Sequence, residues 1–208
     1  TPCGTLFPYT TLFRSANRRL WLAVSLQGVN RFVIAGVLAA TVGLLVEDWA
    51  QSTGIGLGAA TLTGTLMAGR TLMSMASAPL SGTVSDRLGS RWPVAAWGLG
   101  LGAVGMAFLA WGAPVSILLG VLVAAVSRGI VQSLATILTG DLVTRSQRGR
   151  AVGLLHTVGD LGSAVGPSIA YLLLPWIGLQ WVYLLCAGLF LLEMILVIAF
   201  SREGRAQT

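Results

Sequence analysis

The chain has 208 residues, of which 55% are hydrophobic and only 10% are charged, and its formal net charge is +6 at pH 7. Soluble domains carry about 25% charged residues, so this composition excludes an ordinary soluble fold and favours a polytopic helical membrane protein. The positive charge does not indicate a nucleic-acid partner, because the arginines form no stripe or cluster for a phosphate backbone. The cysteines, Cys3 and Cys186, are far apart, so we expect no disulfide, metal site or cofactor.

The first segment, TLFPYTTLFRS at residues 5–15, has no hydrophobic period and precedes the first apolar run. It resembles, residue for residue, the translation of a widely used short-read sequencing adapter. We therefore expect residues 1–15 to be a non-native leader, with native sequence beginning near Ala16 in a chain that is a fragment.

Six apolar runs follow, each long enough at 1.5 Å per residue to cross a hydrocarbon core about 30 Å thick. We number these predicted spans 1 to 6; they cover about residues 20–46, 56–81, 92–112, 114–139, 151–175 and 179–200. Outside the spans and the leader, every arginine lies on one side, and the opposite loops, EDWAQSTGIG, WGAP and PWIGLQ, carry none. The positive-inside rule then predicts a multi-pass membrane protein with both termini in the cytoplasm. The expected location is the bacterial inner membrane.

A short internal match suggests how the spans are related. LGSRWPV at 88–94 enters span 3 and IGLQWVY at 177–183 enters span 6, both with the pattern G-x-x-W. Three spans separate the two copies, so they enter the membrane from opposite sides, as in an inverted repeat. The expected fold is all-α, with six transmembrane helices arranged as an inverted 3+3 repeat.

Polar residues recur at helical spacing in four of the spans. Such stripes are costly in hydrocarbon unless they face water or each other, so we expect spans 1, 2, 4 and 5 to surround a cavity, with spans 3 and 6 outside. The stripes are Gln27, Asn30 and Arg31; Thr63, Arg70, Ser74, Ser77 and Ser81; Arg128, Gln132, Thr136 and Thr139; and His156, Asp160, Ser163, Pro167 and Tyr171.

Three arginines, Arg31, Arg70 and Arg128, lie near the midpoints of their spans, where each costs about 2.5–3.5 kcal/mol. One interpretation is structural ion pairing with Asp160 and Glu193, with Arg128 and Asp160 as the pair singled out for testing. The other is a site in which arginine meets an anionic or polar substrate, with Asp160 as a proton-sensitive counter-charge. His156 is a candidate proton relay or a packing residue. The candidate substrate or coupling residues are Asn30, Arg31, Arg70, Arg128, Gln132, His156, Asp160 and Glu193.

The loop between spans 2 and 3 reads GTVSDRLGSRW. It resembles the G-x-L-x-D-R-x-G-R loop of the major facilitator superfamily, with Val84 in place of the usual Leu. SRGIVQS in span 4 and GDLGSAVGPSIAYLL in span 5 are similar to further segments of that family. In this chain the loop motif comprises Gly82, Asp86, Arg87, Gly89 and Arg91. Asp86 is expected either to latch onto a helix end or an arginine, or to be solvated.

The resemblance implies a secondary transporter that moves a small solute by alternating access and is not an enzyme. Family members have two six-helix halves, so the expected partners are membrane lipid, a missing N-terminal six-helix half, a small-molecule substrate and, as a candidate coupling ion, the proton. We interpret the chain as the C-terminal half; the N-terminal half is the alternative. Gly162, Gly166 and Pro167 are expected to form a hinge in span 5, although packing alone would explain them.

Two other functions remain as alternatives. One is a non-transporting six-helix scaffold or a half-size unit that dimerises with itself. The other, disfavoured, is an intramembrane protease of the rhomboid type. Such an enzyme needs a serine nucleophile and a histidine base on facing helices, whereas the sequence has one histidine and no G-x-S-x-G.

Overall fold

The structure is a computed structural model that describes residues 18–53 and 59–203. The regular elements within these ranges are all helical, which confirms the all-α expectation for this part of the chain. The predicted leader, residues 1–15, lies outside the described residues.

The helices follow one another with short connections. In chain order they are α1 (Arg18–Asn30), a π-helical segment (Arg31–Leu38), α2 (Ala39–Thr53), α3 (Ala59–Arg87), α4 (Arg91–Trp111), α5 (Pro114–Asp141), a short 3-10 turn (Arg145–Gln147) and α6 (Arg148–Glu203). Predicted span 1 corresponds to α1, the π-helical segment and α2 together. Spans 2, 3 and 4 correspond to α3, α4 and α5, and both remaining spans fall within α6.

Four helical stretches in the described ranges are long and apolar enough to cross a membrane: Arg18–Ala50, Arg91–Trp111, Pro114–Asp141 and Arg145–Ser201. Helix α3 is not among them, because Ser, Thr and Gly fill much of it and Arg70 lies near its centre. The hydrophobic character of the chain is therefore unevenly distributed, and α3 depends on its neighbours more than the other helices do.

Helix α6 is unusually long and is broken once. Its 56 residues would extend about 84 Å at 1.5 Å per residue, far more than a hydrocarbon core about 30 Å thick. Gly178 interrupts it with φ 76° and ψ 163°, which is not a helical conformation. Because a positive φ is readily adopted only by glycine, Gly178 separates a first arm, residues 148–177, from a second arm, residues 179–203.

The ends of α4 and α5 follow from local chemistry. Gly112, in the left-handed conformation at φ 74°, caps α4, and its N–H donates to the Leu109 carbonyl at 3.2 Å. Pro114 then begins α5 at a position where a helix needs no N–H donor. These two signals place the boundary within two residues of the predicted one.

Glycines let α4 and α5 cross at backbone distance. A Cβ atom added to Gly105 would lie 2.9 Å from the Ala124 amide nitrogen, and one added to Gly120 would lie 2.8 Å from the Gly105 carbonyl oxygen. In lipid no hydrophobic driving force brings helices together, and small residues join them by allowing the backbones to come this close.

The loop motif joins the ends of three helices. Gly89 has φ 62°, so the left-handed turn after α3 uses the residue that allows it. Arg91, at the start of α4, pairs with Asp86 at 3.6 Å and also with Asp141, the last residue of α5. The arginine that Asp86 contacts is therefore Arg91. Arg87 lies in the last turn of α3, where a cation is favourable. A Cβ atom added to Gly82 would meet no neighbouring atom within 4 Å.

Candidate functional site

The central ion pair of the bundle joins Arg31 to Asp160. Arg31 is the first residue of the π-helical segment, and its Nη1 donates to Asp160 Oδ1 at 2.8 Å. The Arg31 side chain is 21% exposed and that of Asp160 is 67% exposed, so the pair lies on the side of the bundle that the described helices leave open. The sequence indicated Asp160 as a partner for the central arginines and singled out Arg128, whereas the structure pairs Asp160 with Arg31.

The segment that carries Arg31 is wound as a π-helix. Residues 31–38 take this wider turn, a rare geometry that leaves backbone groups without their usual α-helical partners and often occurs at functional sites. Another helix supplies a hydrogen-bond donor to this segment. Arg70 Nη2, on α3, donates to the Ile34 carbonyl at 3.0 Å. Arg70 is 4% exposed. Its charge is therefore directed at a backbone carbonyl of the π-helical segment.

Glycines hold the π-helical segment against α6. A Cβ atom added to Gly36 would lie 2.9 Å from the Gly166 Cα, and one added to Gly162 would lie 2.7 Å from the Gly28 carbonyl oxygen. The two helices therefore meet backbone to backbone beside the Arg31–Asp160 pair. For Gly162 and Gly166 the structure shows a packing contact; the hinge at Gly162, Gly166 and Pro167 stays a prediction.

Arg128 differs from the other two arginines. Within the described part of the chain no carboxylate lies within ion-pair distance of it. With Gln132 and Thr136 from α5, and with Thr71 and Ser74 from α3, it lines a groove of about 530 Å³. Arg128 is also close enough to Arg31 and Arg70 to feel electrostatic repulsion from them. Repulsion of this kind makes the groove a favourable place for negative charge.

Two buried amides lie beside Arg31. Gln27 is fully buried and Asn30 is 1% exposed. Neither amide has a hydrogen-bond partner among the described residues. Leaving a buried polar group unpaired costs about 1–3 kcal/mol. These two amides therefore carry an energetic cost, and they have hydrogen-bonding capacity that the described helices do not use.

The polar stripe of α3 has a different orientation from the one predicted. Arg70, Ser77 and Ser81 are buried in the bundle, whereas Ser74 and Thr71 line the groove. The Ser77 and Ser81 hydroxyls donate to the carbonyls of Ser74 and Ala78 within their own helix. Serine can therefore be packed against α5 without needing water, because its hydroxyl is satisfied locally.

The remaining candidates lie in separate places. Glu193 is buried, and its partner is a serine, because Ser25 Oγ lies 2.6 Å from Glu193 Oε1. His156 is exposed on the first arm of α6, one turn before Asp160 and on the same face. The arginines, Asp160 and the amides thus form one cluster, whereas Glu193 lies outside it.

Sequence reasoning missed several polar contacts. Thr41 and Tyr183 are both buried and their hydroxyl oxygens lie 2.9 Å apart, and Tyr171 donates to the Ala40 carbonyl across the α2–α6 contact. Asp141, which pairs with Arg91, was also missed. Two of these residues gave a signal in the sequence, since Tyr171 belongs to the polar stripe of span 5 and Asp141 is an acid directly after span 4.

The sequence pattern of the Major Facilitator Superfamily matches residues 20–208. The match extends over nearly the whole chain. This chain belongs to the Major Facilitator Superfamily. Membership, together with the long apolar helices, makes it a multi-pass membrane protein.

A solved transporter structure has a fold similar to that of this chain. The POT family transporter PepTSo, determined by in meso crystallisation, is similar with a TM-score of 0.77 and 16% sequence identity. The alignment covers 89% of this chain and 37% of PepTSo, so the superfamily chain spans little more than a third of that transporter's length. At this identity the likeness shows the fold alone. A search of curated protein sequences found no match.

Proposed function

We propose that this chain is one half of a secondary transporter that moves a small solute carrying an anionic group. The observation that carries the proposal is Arg128, a cation near mid-membrane that lines a groove with Gln132 and has no acidic partner among the described residues. An arginine at this depth is expensive and marks a substrate pathway when it faces a cavity. A planar guanidinium binds carboxylate or phosphate with two hydrogen bonds.

The other two central arginines already have partners, so Arg128 is the one we assign as the substrate contact. Arg31 is neutralised by Asp160 and Arg70 is directed at the Ile34 carbonyl. We assign Asp160 the role of fixing Arg31 beside the groove, and the amides of Gln27 and Asn30 the role of further donors when the α1–α6 contact opens. His156, on the exposed face, is assigned as a proton relay candidate.

The rest of the transporter is proposed from the arrangement of helices. Both arms of α6 are long enough to cross the membrane, which gives six spans with the 3+3 inverted relationship that the two G-x-x-W segments suggest. A second six-helix half would complete the groove, and this chain would be the C-terminal half in a bacterial inner membrane. The alternative of a self-associating half-size unit is an outcome of the experiments below.

The substrate class is tested by reconstituting the full-length gene product in proteoliposomes with a panel of anionic, zwitterionic and neutral solutes. Arg128→Met should reduce transport of the anionic solute about tenfold or more, because a hydrogen bond to a charged group contributes about 1.5–3 kcal/mol. Arg148→Met, an exposed arginine whose Nε donates to the Gly140 carbonyl, is the matched control and should retain transport.

Unchanged anion transport in Arg128→Met, at normal protein abundance, would contradict the proposal. Transport by the isolated half as a dimer would instead support the self-associating unit.

The topology is tested by labelling single introduced cysteines in intact cells. A cysteine at Ala113, in the exposed connection between α4 and α5, should react with an impermeant maleimide from outside. A cysteine at Ser146, between α5 and α6, should react only after permeabilisation. The native Cys186 is buried and should contribute little background. The opposite labelling pattern would refute the proposed orientation.

A further inference from the structure

We propose that Glu193 is a proton-binding site, held as the neutral carboxylic acid between α1 and the second arm of α6. This site is separate from the arginine cluster. It does not depend on which solute the protein moves or on the proposed role of Arg128.

The geometry around Ser25 carries the proposal. Ser25 Oγ lies 2.6 Å from Glu193 Oε1 and 2.9 Å from the Leu22 carbonyl oxygen. A serine hydroxyl has one hydrogen to donate, so it cannot satisfy both oxygens. An ionised Glu193 would leave one of these two close contacts without a proton.

A protonated Glu193 resolves the conflict. Its O–H donates to Ser25 Oγ, and the Ser25 hydroxyl then donates to the Leu22 carbonyl. Both contacts become ordinary hydrogen bonds, and 2.6 Å is within the usual range for two oxygens.

The described positive charges are not placed to stabilise an ionised Glu193. Within the described residues no arginine lies within 4 Å of it. On α1, Arg31 is paired with Asp160, while Arg18 and Arg19 precede Ser25 by about 9 Å or more along the helix axis. On α4, Arg91 is paired with Asp86 and Asp141, and on α5, Arg128 lines the groove.

The other titratable groups on the second arm also have their own surroundings. Tyr183 is hydrogen-bonded to Thr41 and Cys186 is buried. Arg202 and Glu203 follow Glu193 by nine and ten residues, about 13 Å or more along the helix axis. No group on the elements packed against Glu193 supplies the positive charge that an ionised carboxylate would need.

The depth of Glu193 adds to this requirement. It precedes the end of predicted span 6, at residue 200, by seven residues, or about 10 Å along the helix axis, which places it inside a hydrocarbon core about 30 Å thick. The residue is 3% exposed. A carboxylate is strongly disfavoured there, whereas the neutral acid with one hydrogen bond is tolerated. Because two helices enclose the carboxyl, proton release requires the α1–α6 contact to open.

Infrared spectroscopy of the full-length gene product in lipid tests the proposal. The wild-type spectrum minus that of Glu193→Gln at pH 7 should show the C=O stretching band of a protonated carboxyl, above the amide I band. That band should shift when all glutamates carry ¹³C at the side-chain carboxyl. Glu47→Gln, at an exposed glutamate near the end of α2, is the control and should retain the band.

Ser25→Ala provides a second, independent measurement. It keeps the carboxyl but removes its acceptor, so the glutamate-specific band should move to higher wavenumber without loss of intensity. This variant also decides the matter if Glu193→Gln fails to accumulate. A carboxylate band at pH 7 in place of the acid band, or no change of the acid band in Ser25→Ala, would overturn the proposal.

Discussion

Replacing Gly166 with alanine is expected to destabilise the bundle severely. A Cβ atom at this position would lie 2.7 Å from the Gly36 Cα and 2.7 Å from the Phe32 carbonyl oxygen. Both are backbone atoms of the π-helical segment, so no side chain can rotate away to make room. Overpacking in a close-packed interior costs about 1–3 kcal/mol, and more where backbone must move. We expect a loss of thermal stability and of membrane abundance.

Gly153 on the same helix provides the matched control. No atom lies within 4 Å of a Cβ added there. Gly153→Ala should therefore be neutral or slightly stabilising, since alanine favours a helix more than glycine does. The measurement is fluorescence-detected thermal unfolding of both variants in detergent. Equal melting temperatures for Gly166→Ala and the wild type would show that α6 does not pack on the π-helical segment as closely as described.

Local signals in the sequence explain much of the fold. The composition predicted membrane helices, Gly112 and Pro114 placed the boundary between α4 and α5, and Gly89 marked the turn after α3. Each of these depends on the preferences of one residue and its nearest neighbours. The break at Gly178 was also visible, as the gap between spans 5 and 6.

Features that depend on contacts between helices were harder to predict from the sequence. No periodicity in the sequence indicates that residues 31–38 wind as a π-helix, since this geometry is supported by Arg70 from α3 and by glycines of α6. The polar stripe of α3 was recognised, but its buried face could not be told from its groove face. Serine is compatible with both, because its hydroxyl can bond to its own backbone.

The charged groups show the same limit. Spacing identified Arg31, Arg70, Arg128, Asp160 and Glu193 as the residues of interest, but partners are chosen by helix rotation and crossing. Asp160 was compatible with any of three arginines, and the structure pairs it with Arg31. One of the two interpretations paired Glu193 with an arginine, whereas its neighbour in the structure is Ser25, which carries no charge.

The Arg31–Asp160 pair gives the second large expected effect, this time on transport. Asp160→Asn should reduce transport by the full-length gene product about tenfold or more, because it removes the charge paired with Arg31, whose position beside the groove is part of the proposed function. The stability cost should be small, about 0–1 kcal/mol, since the Asp160 side chain is 67% exposed. Transport assayed per unit of reconstituted protein separates the two effects.

A double-mutant cycle then identifies the partner of Asp160. If Arg31 is the partner, Arg31→Met with Asp160→Leu should lose much less than the sum of the single losses in abundance and transport, because neither charge is left alone. Arg128→Met with Asp160→Leu is the matched control and should be additive, since the structure places no ion pair between those residues. Coupling of Asp160 to Arg128 and additivity with Arg31 would mean that the helices are rotated differently in the working transporter. Arg128 would then be held by a carboxylate and would no longer be the cation available to a substrate.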